Sequence, residues 1–170
     1  MIIDRTSADV ELAKKIIREK IQPIFPLSPD LTPDDKRILQ RGTCSVDMLN
    51  RIENKQKEIA NMLNIYAYPM SIQNKTDWKD EDFYIMHPEA TDQGEIFNYQ
   101  DHSRLLSNLD KLKQAFFIYP TTPKTPDYLY NYVNANAVEK ILVDIENMIS
   151  DMERHFRECD TFYCGEEEDL

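Results

Sequence analysis

The spacing of apolar residues predicts one very long helix near the C-terminus. Over residues 130–156 an almost uninterrupted apolar face recurs with helical periodicity. That face consists of Val138, Ile141, Leu142, Ile145, Met148, Ile149, Met152 and Phe156. A helix of this length spans roughly 35–40 Å at 1.5 Å per residue. We expect it to be the spine of the fold.

Two further long helices are predicted by the same spacing. One begins after Thr43 or Ser45 and carries the stripe Leu49, Ile52, Gln56, Ile59, Ala60 and Leu63. We expect Gln56 at the margin of that stripe or hydrogen-bonded to a neighbour. The other face, with Arg51, Glu53, Lys55, Lys57 and Glu58, is expected in solvent. The other long helix covers residues 99–116 with the stripe Leu105, Leu109, Leu112 and Phe116.

Capping residues indicate helix starts nearer the N-terminus. Thr6 or Ser7 suits the N-cap of a helix that Pro23 ends. Thr32 caps a short helix with Pro33 at its first position. Gly42 is expected to stop that helix as its C′ residue.

Proline-rich segments separate these helices. Three prolines fall within residues 23–30 and three within 118–126, and both segments are expected to cross the body in extended form. The middle, residues 65–99, is irregular. Within it Tyr66, Tyr68, Met70 and Ile72 alternate with other residues, which suggests one short strand or extended segment.

These elements predict a mainly α fold. We expect a helical bundle of three long helices plus one short helix, with proline-rich extended crossings and at most a minor strand element. Residues 1–157 would form a single helical domain, and residues 158–170 an acidic aromatic tail. With only 3 Gly in 170 residues, neither an all-β fold nor a phosphate-binding glycine loop is favoured.

The charge balance argues against some classes of partner. The chain has 20 basic and 31 acidic residues and a formal net charge of −11, whereas non-specific nucleic-acid binders need a basic surplus. No apolar run suits a membrane span, and the first residues do not resemble a secretory signal. Three cysteines at wide spacing do not form a disulfide framework, so we expect a reducing cytoplasm.

No recognisable set of residues predicts a metal site, a cofactor or catalysis. His87, His102 and His155 lie far apart, and no second cysteine pair joins Cys159 and Cys164. Asp80 and Asp82 resemble the start of a calcium loop, but Ile85 and Thr91 stand where its Gly and Glu belong. Cys44 precedes a helix and is expected to be a half-buried structural cysteine. We predict no enzyme activity.

Three aromatic residues are candidate interface anchors. Trp78, Phe162 and Tyr163 lie outside the helical stripes and beside acidic runs, and large aromatics in such positions often anchor interfaces. The alternative is that they are core residues that close the ends of the bundle.

Several segments resemble a known family of small proteins encoded in the tail-gene module of Firmicute phages and prophages. They are residues 4–10 (DRTSADV), 47–53 (DMLNRIE), 76–78 (TDW), 119–127 (YPTTPKTPD), 134–144 (NANAVEKILVD) and 161–165 (TFYCG). The matches are colinear over nearly the whole chain. Residues 23–30 and 81–100 look longer than their counterparts in the family.

This resemblance implies a place in a virion tail. The expected function is that of a structural or interaction protein of the tail tip, baseplate or fibre attachment, made in the host cytoplasm. Its expected partners are other tail proteins and further copies of itself, with no direct nucleic-acid or membrane binding. The alternative is a non-virion accessory protein, either a tail assembly chaperone or an acidic inhibitor of a host nucleic-acid enzyme.

Overall fold

The structure is a computed structural model that describes residues 1–24, 30–75, 78, 99–115, 117–129 and 131–159, with side chains in the last range described as far as residue 155. In those ranges the fold is mainly helical and contains no strand. The helices are α1 (Ser7–Ile16), α2 (Pro33–Gly42), α3 (Val46–Ile65), α4 (Tyr99–Ala115) and α5 (Tyr132–Cys159). A π-helical turn, Ile17–Ile21, and a 3-10 turn, Gln22–Ile24, follow α1.

The first three helices begin at side-chain caps. The hydroxyl oxygens of Thr6, Thr32 and Ser45 each accept a hydrogen bond from the backbone N–H three residues later. In α1 and α2 the residue at that third position, Asp9 or Asp35, accepts a return bond from the cap backbone. The cap predicted at Thr32 is therefore confirmed, and of the predicted alternatives Thr6 caps α1 rather than Ser7, and Ser45 caps α3 rather than Thr43.

The main hydrophobic core lies between α3, α4 and α5, which contact one another pairwise. Five residues of the predicted α5 face are buried: Val138, Ile141, Leu142, Ile145 and Ile149. The α3 stripe is buried as well, from Leu49 to Leu63. Two stripe residues, Phe116 and the side chain of Phe156, lie outside the described parts.

The two short helices, α1 and α2, pack against each other. Ala13, Ile16 and Ile21 are buried there, apart from the main cluster. The expected count of one short helix is therefore too low, because α1 and α2 have 10 residues each.

Gly42 ends α2 for a different reason from the one predicted. It is the last residue of α2, and Thr43 follows in an extended conformation. A Cβ at position 42 would lie 2.3 Å from the carbonyl oxygen of Asp9 and 2.4 Å from the Cβ of Ala13. Glycine is therefore required by the close approach of α1 and not by a left-handed C′ conformation.

The alternating segment after α3 is not a strand. Ala67 has a φ of 61° and turns the chain out of α3. Tyr66, Met70 and Ile72 pack against the core while Tyr68 is exposed. The period of two reflects this one-sided packing, since no partner strand pairs with the segment in the described residues. Asn64 holds it through hydrogen bonds to both backbone groups of Met70.

No helix in the described ranges has the length and apolar character that crossing a membrane requires.

Candidate functional site

A buried carboxylate on α5 holds together the N-terminal arm and α3. Glu139 is fully buried, and its Oε1 lies 2.9 Å from Nη2 of Arg5 and 2.7 Å from Nη2 of Arg51. Its Oε2 accepts a hydrogen bond from the backbone N–H of Ile2. Two guanidinium groups and an amide thus compensate one buried charge, which would otherwise be strongly destabilising.

Asn136 extends this network by one helical turn. Its Oδ1 accepts from the Arg5 backbone N–H at 3.2 Å, and its Nδ2 donates to the Arg5 carbonyl at 2.9 Å. The amide side chain therefore mimics a backbone partner for Arg5. The arm that precedes α1 is fixed to α5 by these bonds, and this places the start of α1.

A second buried carboxylate, Glu53, connects α3 to α4. It is fully buried, and Arg104 binds both its oxygens, at 2.7 Å and 3.0 Å. The backbone N–H of Lys75 donates to Oε2 at 3.3 Å. The prediction that Glu53 lies in solvent is wrong, because a bidentate arginine makes its burial possible. Arg51 is also only partly exposed, since it reaches Glu139.

Gln56 is buried in the α3 stripe and hydrogen-bonded to a neighbour. Its Nε2 donates to the carbonyl of Leu105 at 2.9 Å. The second of the two expected placements is therefore confirmed, and the bond joins α3 to α4 within the core.

Trp78 lies in the main core. It is 3% exposed, and the ammonium of Lys75 lies 4.1 Å from the centre of its ring. Asn50 accepts from the Trp78 backbone N–H at 2.8 Å and donates to its carbonyl at 2.9 Å. Packing accounts for the burial of this residue, while a role at an interface stays a prediction.

The other predicted anchors, Phe162 and Tyr163, lie outside the described residues, as do the acidic pair Asp80 and Asp82. The structure therefore places only Trp78 of the three candidate anchors. In the described parts no three His, Cys, Asp or Glu residues come together in a way that could hold a metal ion.

His102 is a buried imidazole within α4. Its Nε2 accepts a hydrogen bond from the backbone N–H of Leu129 at 2.9 Å, and the side chain is nearly inaccessible. Burial lowers the pKa of His102 because it disfavours the charged ring. The neutral imidazole therefore fixes the backbone at Leu129, three residues after the proline-rich crossing, against α4.

A cavity of about 270 Å³ lies between the α1–α2 pair and the main bundle. It borders the Glu139 network because Arg5 lines its wall. The remaining lining residues are Val10, Lys14, Arg41, Gly42, Thr43, Cys44, Met48, Leu129, Asn131, Tyr132 and Ala135. Ligand sites commonly lie at such junctions between packed units.

Cys44 contributes a neutral thiol to this cavity. It is half-buried, and no cysteine among the described side chains forms a disulfide with it. Burial raises the pKa of the thiol to about 11, with the charge of Arg5 opposing the shift. At neutral pH the sulfur is thus protonated, and only the thiolate would be an effective nucleophile.

The Glu139 network was not predicted from the sequence, although the segments quoted there contain its residues. Arg5, Arg51 and Glu139 lie in residues 4–10, 47–53 and 134–144, which the sequence analysis had already singled out. The available signal was a charged residue at a position facing an apolar stripe, which implies a partner of opposite charge.

Comparison of the chain with protein-family models, with curated proteins and with solved structures finds no match.

Proposed function

We propose that the chain is a non-catalytic structural protein of a phage tail, which acts through contacts with other tail proteins and with its own copies. The proposal begins from the segments that resemble tail-module proteins. The observation that carries it is that the polar residues of these segments bind one another inside the fold.

The contacts connect the segments in pairs. Arg5, from the first segment, binds Glu139 and Asn136 of the fifth. Arg51, from the second, also binds Glu139. A third connection runs from Asn50 to the backbone of Trp78.

The proline-rich segment is tied to α5 in the same way. The hydroxyl of Thr122 donates to Asp144 at 2.8 Å, and that of Tyr119 donates to Asp151 at 2.6 Å. Apart from the Tyr119–Asp151 pair, these side chains belong to the segments that carry the resemblance, and together they hold helices, arm and crossing in position. Residues engaged in this way define a scaffold, and we assign the function to surfaces that the scaffold presents.

Quantitative mass spectrometry of purified particles tests this proposal. Particles of the phage or induced prophage that encodes the chain are separated from the lysate on a density gradient. We expect the chain in a fixed ratio to the tail-tube protein, in every particle fraction. A host cytoplasmic protein of similar abundance serves as the contamination control.

An accessory protein would behave differently. A chain that is abundant in the lysate but absent from particles, or present at a ratio that falls with each purification step, would contradict the structural role. That outcome would favour an assembly chaperone or an inhibitor instead.

A further inference from the structure

The wall of the cavity beside Arg5 has an unusual charge composition. Of the residues that the structure describes, Arg5, Lys14 and Arg41 line it, and no Asp or Glu does. The whole chain has 31 acidic and 20 basic residues, so a wall with cations alone departs from the average surface. Cationic N–H groups that face a cavity without a facing carboxylate offer donors to an anion.

Each of these cations is ion-paired with a carboxylate that is not itself part of the wall. Arg5 pairs with Glu139, Lys14 pairs with Glu11, and Arg41 pairs with Asp4 and Asp9. None of these carboxylates lines the cavity. A ligand in the cavity would therefore meet the cations first.

Arg5 also has one buried N–H group without a hydrogen-bond acceptor in the described residues. Its side chain is 1% exposed, and within the described chain its Nε–H has no hydrogen-bond acceptor. A buried donor without an acceptor destabilises the fold because it has lost its hydrogen bond to water. An anion seated against the guanidinium would offer that acceptor.

Two helix starts add to the positive field. Thr43 and Cys44 precede α3, Asn131 precedes α5 and Tyr132 begins it, and all four line the cavity together with Arg41 and Gly42 at the end of α2. The N-terminal ends of helices carry a partial positive charge. The rest of the wall is largely apolar, with Val10, Met48, Leu129 and Ala135.

We propose that this cavity binds a small organic anion that has a carboxylate head and a compact apolar body. The cations and helix starts would hold the carboxylate, and the apolar side chains would cover the body. Its volume of about 270 Å³ suits a ligand smaller than a typical drug. A free carboxylic acid and the C-terminal residue of a partner chain both have this chemistry.

The test is a titration of the full chain, labelled with nitrogen-15, followed by NMR. The probes are 3-phenylpropionate, its neutral amide, and acetate. We expect saturable shifts at lining residues with 3-phenylpropionate, at least ten-fold weaker binding of the amide, and no saturation with acetate. The absence of saturation by 3-phenylpropionate at about 10 mM, which corresponds to less than about 3 kcal/mol of binding, would overturn the proposal.

A matched pair of variants on α1 locates the site. Lys14 lines the cavity, whereas its neighbour Lys15 is exposed and does not. Lys14→Gln should weaken the binding of 3-phenylpropionate about three-fold, as expected for the loss of one exposed charge. Lys15→Gln should leave that binding unchanged. Equal weakening by the two changes would overturn the site. Val10→Phe should reduce binding at least ten-fold by filling the cavity; if that variant does not fold, the lysine pair and the amide still decide.

The peptide N-acetyl-Ala-Phe, with a free or an amidated C-terminus, distinguishes the two sources. Tighter binding of the free-acid peptide than of 3-phenylpropionate supports a partner's C-terminus, and the reverse supports a free acid. Binding of the amidated peptide as tight as that of the free-acid form would contradict an anion site. This site does not depend on the tail assignment, because the titration uses the isolated chain.

Discussion

Arg5 and Glu139 are 134 positions apart in the chain and form an ion pair of 2.9 Å. Both side chains are at most 1% exposed. The pair ties the arm before α1 to the middle of the structure, on a carboxylate that Arg51 of α3 also binds. Because a buried charge needs its partners, this contact ties the N-terminal arm to the folding of the main bundle.

Removing the carboxylate of Glu139 should therefore be costly. We expect Glu139→Ala to lower the free energy of unfolding by about 3–5 kcal/mol, since it leaves Arg5 buried without its counter-charge. Glu58→Ala is the control, because Glu58 is exposed, its partner Lys55 keeps a second ion pair with Glu146, and the change should alter stability by less than about 1 kcal/mol. Urea unfolding measures both. Equal effects of the two changes would show that the network adds nothing.

Gly42 sets the distance between α1 and α2. Alanine normally favours a helix by about 1 kcal/mol over glycine. Here its Cβ would overlap the Asp9 carbonyl oxygen at 2.3 Å, so we expect Gly42→Ala to destabilise the chain by about 1–3 kcal/mol. Arg37→Ala, on the exposed side of α2, is the control for helix propensity. A rise in melting temperature with Gly42→Ala would contradict the close packing.

Ile145 tests the core face of α5. The side chain is fully buried among α3, α4 and α5, so Ile145→Asp would bury an unpaired charge and should unfold the domain, at several kcal/mol. Asn147→Asp adds the same charge at an exposed position of the same helix and should leave the melt almost unchanged. Circular dichroism measures both. An unchanged melting temperature for Ile145→Asp would refute the packing of α5.

His102 should make stability depend on pH. Its pKa is lowered in the folded state from the ordinary value of 6.5, so folding favours the neutral ring. The stability from this neutral ring is fully present above pH 6.5 and is lost as pH falls below it. We expect His102→Gln to flatten that part of the stability profile. His155→Gln, at an exposed residue of α5, is the control.

A second loss of stability is expected in stronger acid. Hydrogen bonds from Arg41 and Thr6 lower the pKa of Asp9 to about 2, and bonds from Lys20 and Thr32 do the same for Asp35. These carboxylates stabilise the fold above their unfolded pKa of 3.8, and that contribution is lost as pH falls toward 2. The two losses of stability fall in different pH ranges, so the effect of His102 can be measured separately from that of Asp9 and Asp35. A profile that is flat between pH 7 and 5 in the unaltered chain would contradict the role of His102.

We expect the three predicted anchors to differ in what their removal changes: stability for Trp78, and association for Phe162 and Tyr163. Trp78→Ala should destabilise the chain by about 3–5 kcal/mol because the indole is buried. The double change Phe162→Ala with Tyr163→Ala is expected to reduce self-association or incorporation into tails while the melt stays nearly constant. Sedimentation and circular dichroism measure these effects. A collapsed melt in the double variant would make both residues core.

The sequence by itself determined the local elements of this protein. Side-chain caps at Thr6, Thr32 and Ser45 and the apolar stripes of α3 and α5 were readable because they depend on residues three or four positions apart. The non-helical character of the proline-rich crossing was readable as well, since proline removes a donor and fixes φ.

Only the tertiary structure decided which polar residues are buried. Glu53 looked like a solvent residue until Arg104, 51 positions later, was placed against it. Gly42 looked like a conformational stop until α1 was placed across it. The cavity combines residues from 5 to 135 of the chain. Such long-range contacts depend on how helices pack in three dimensions. The spacing of residues along the chain predicts where helices form, but it does not predict which side chains of different helices meet.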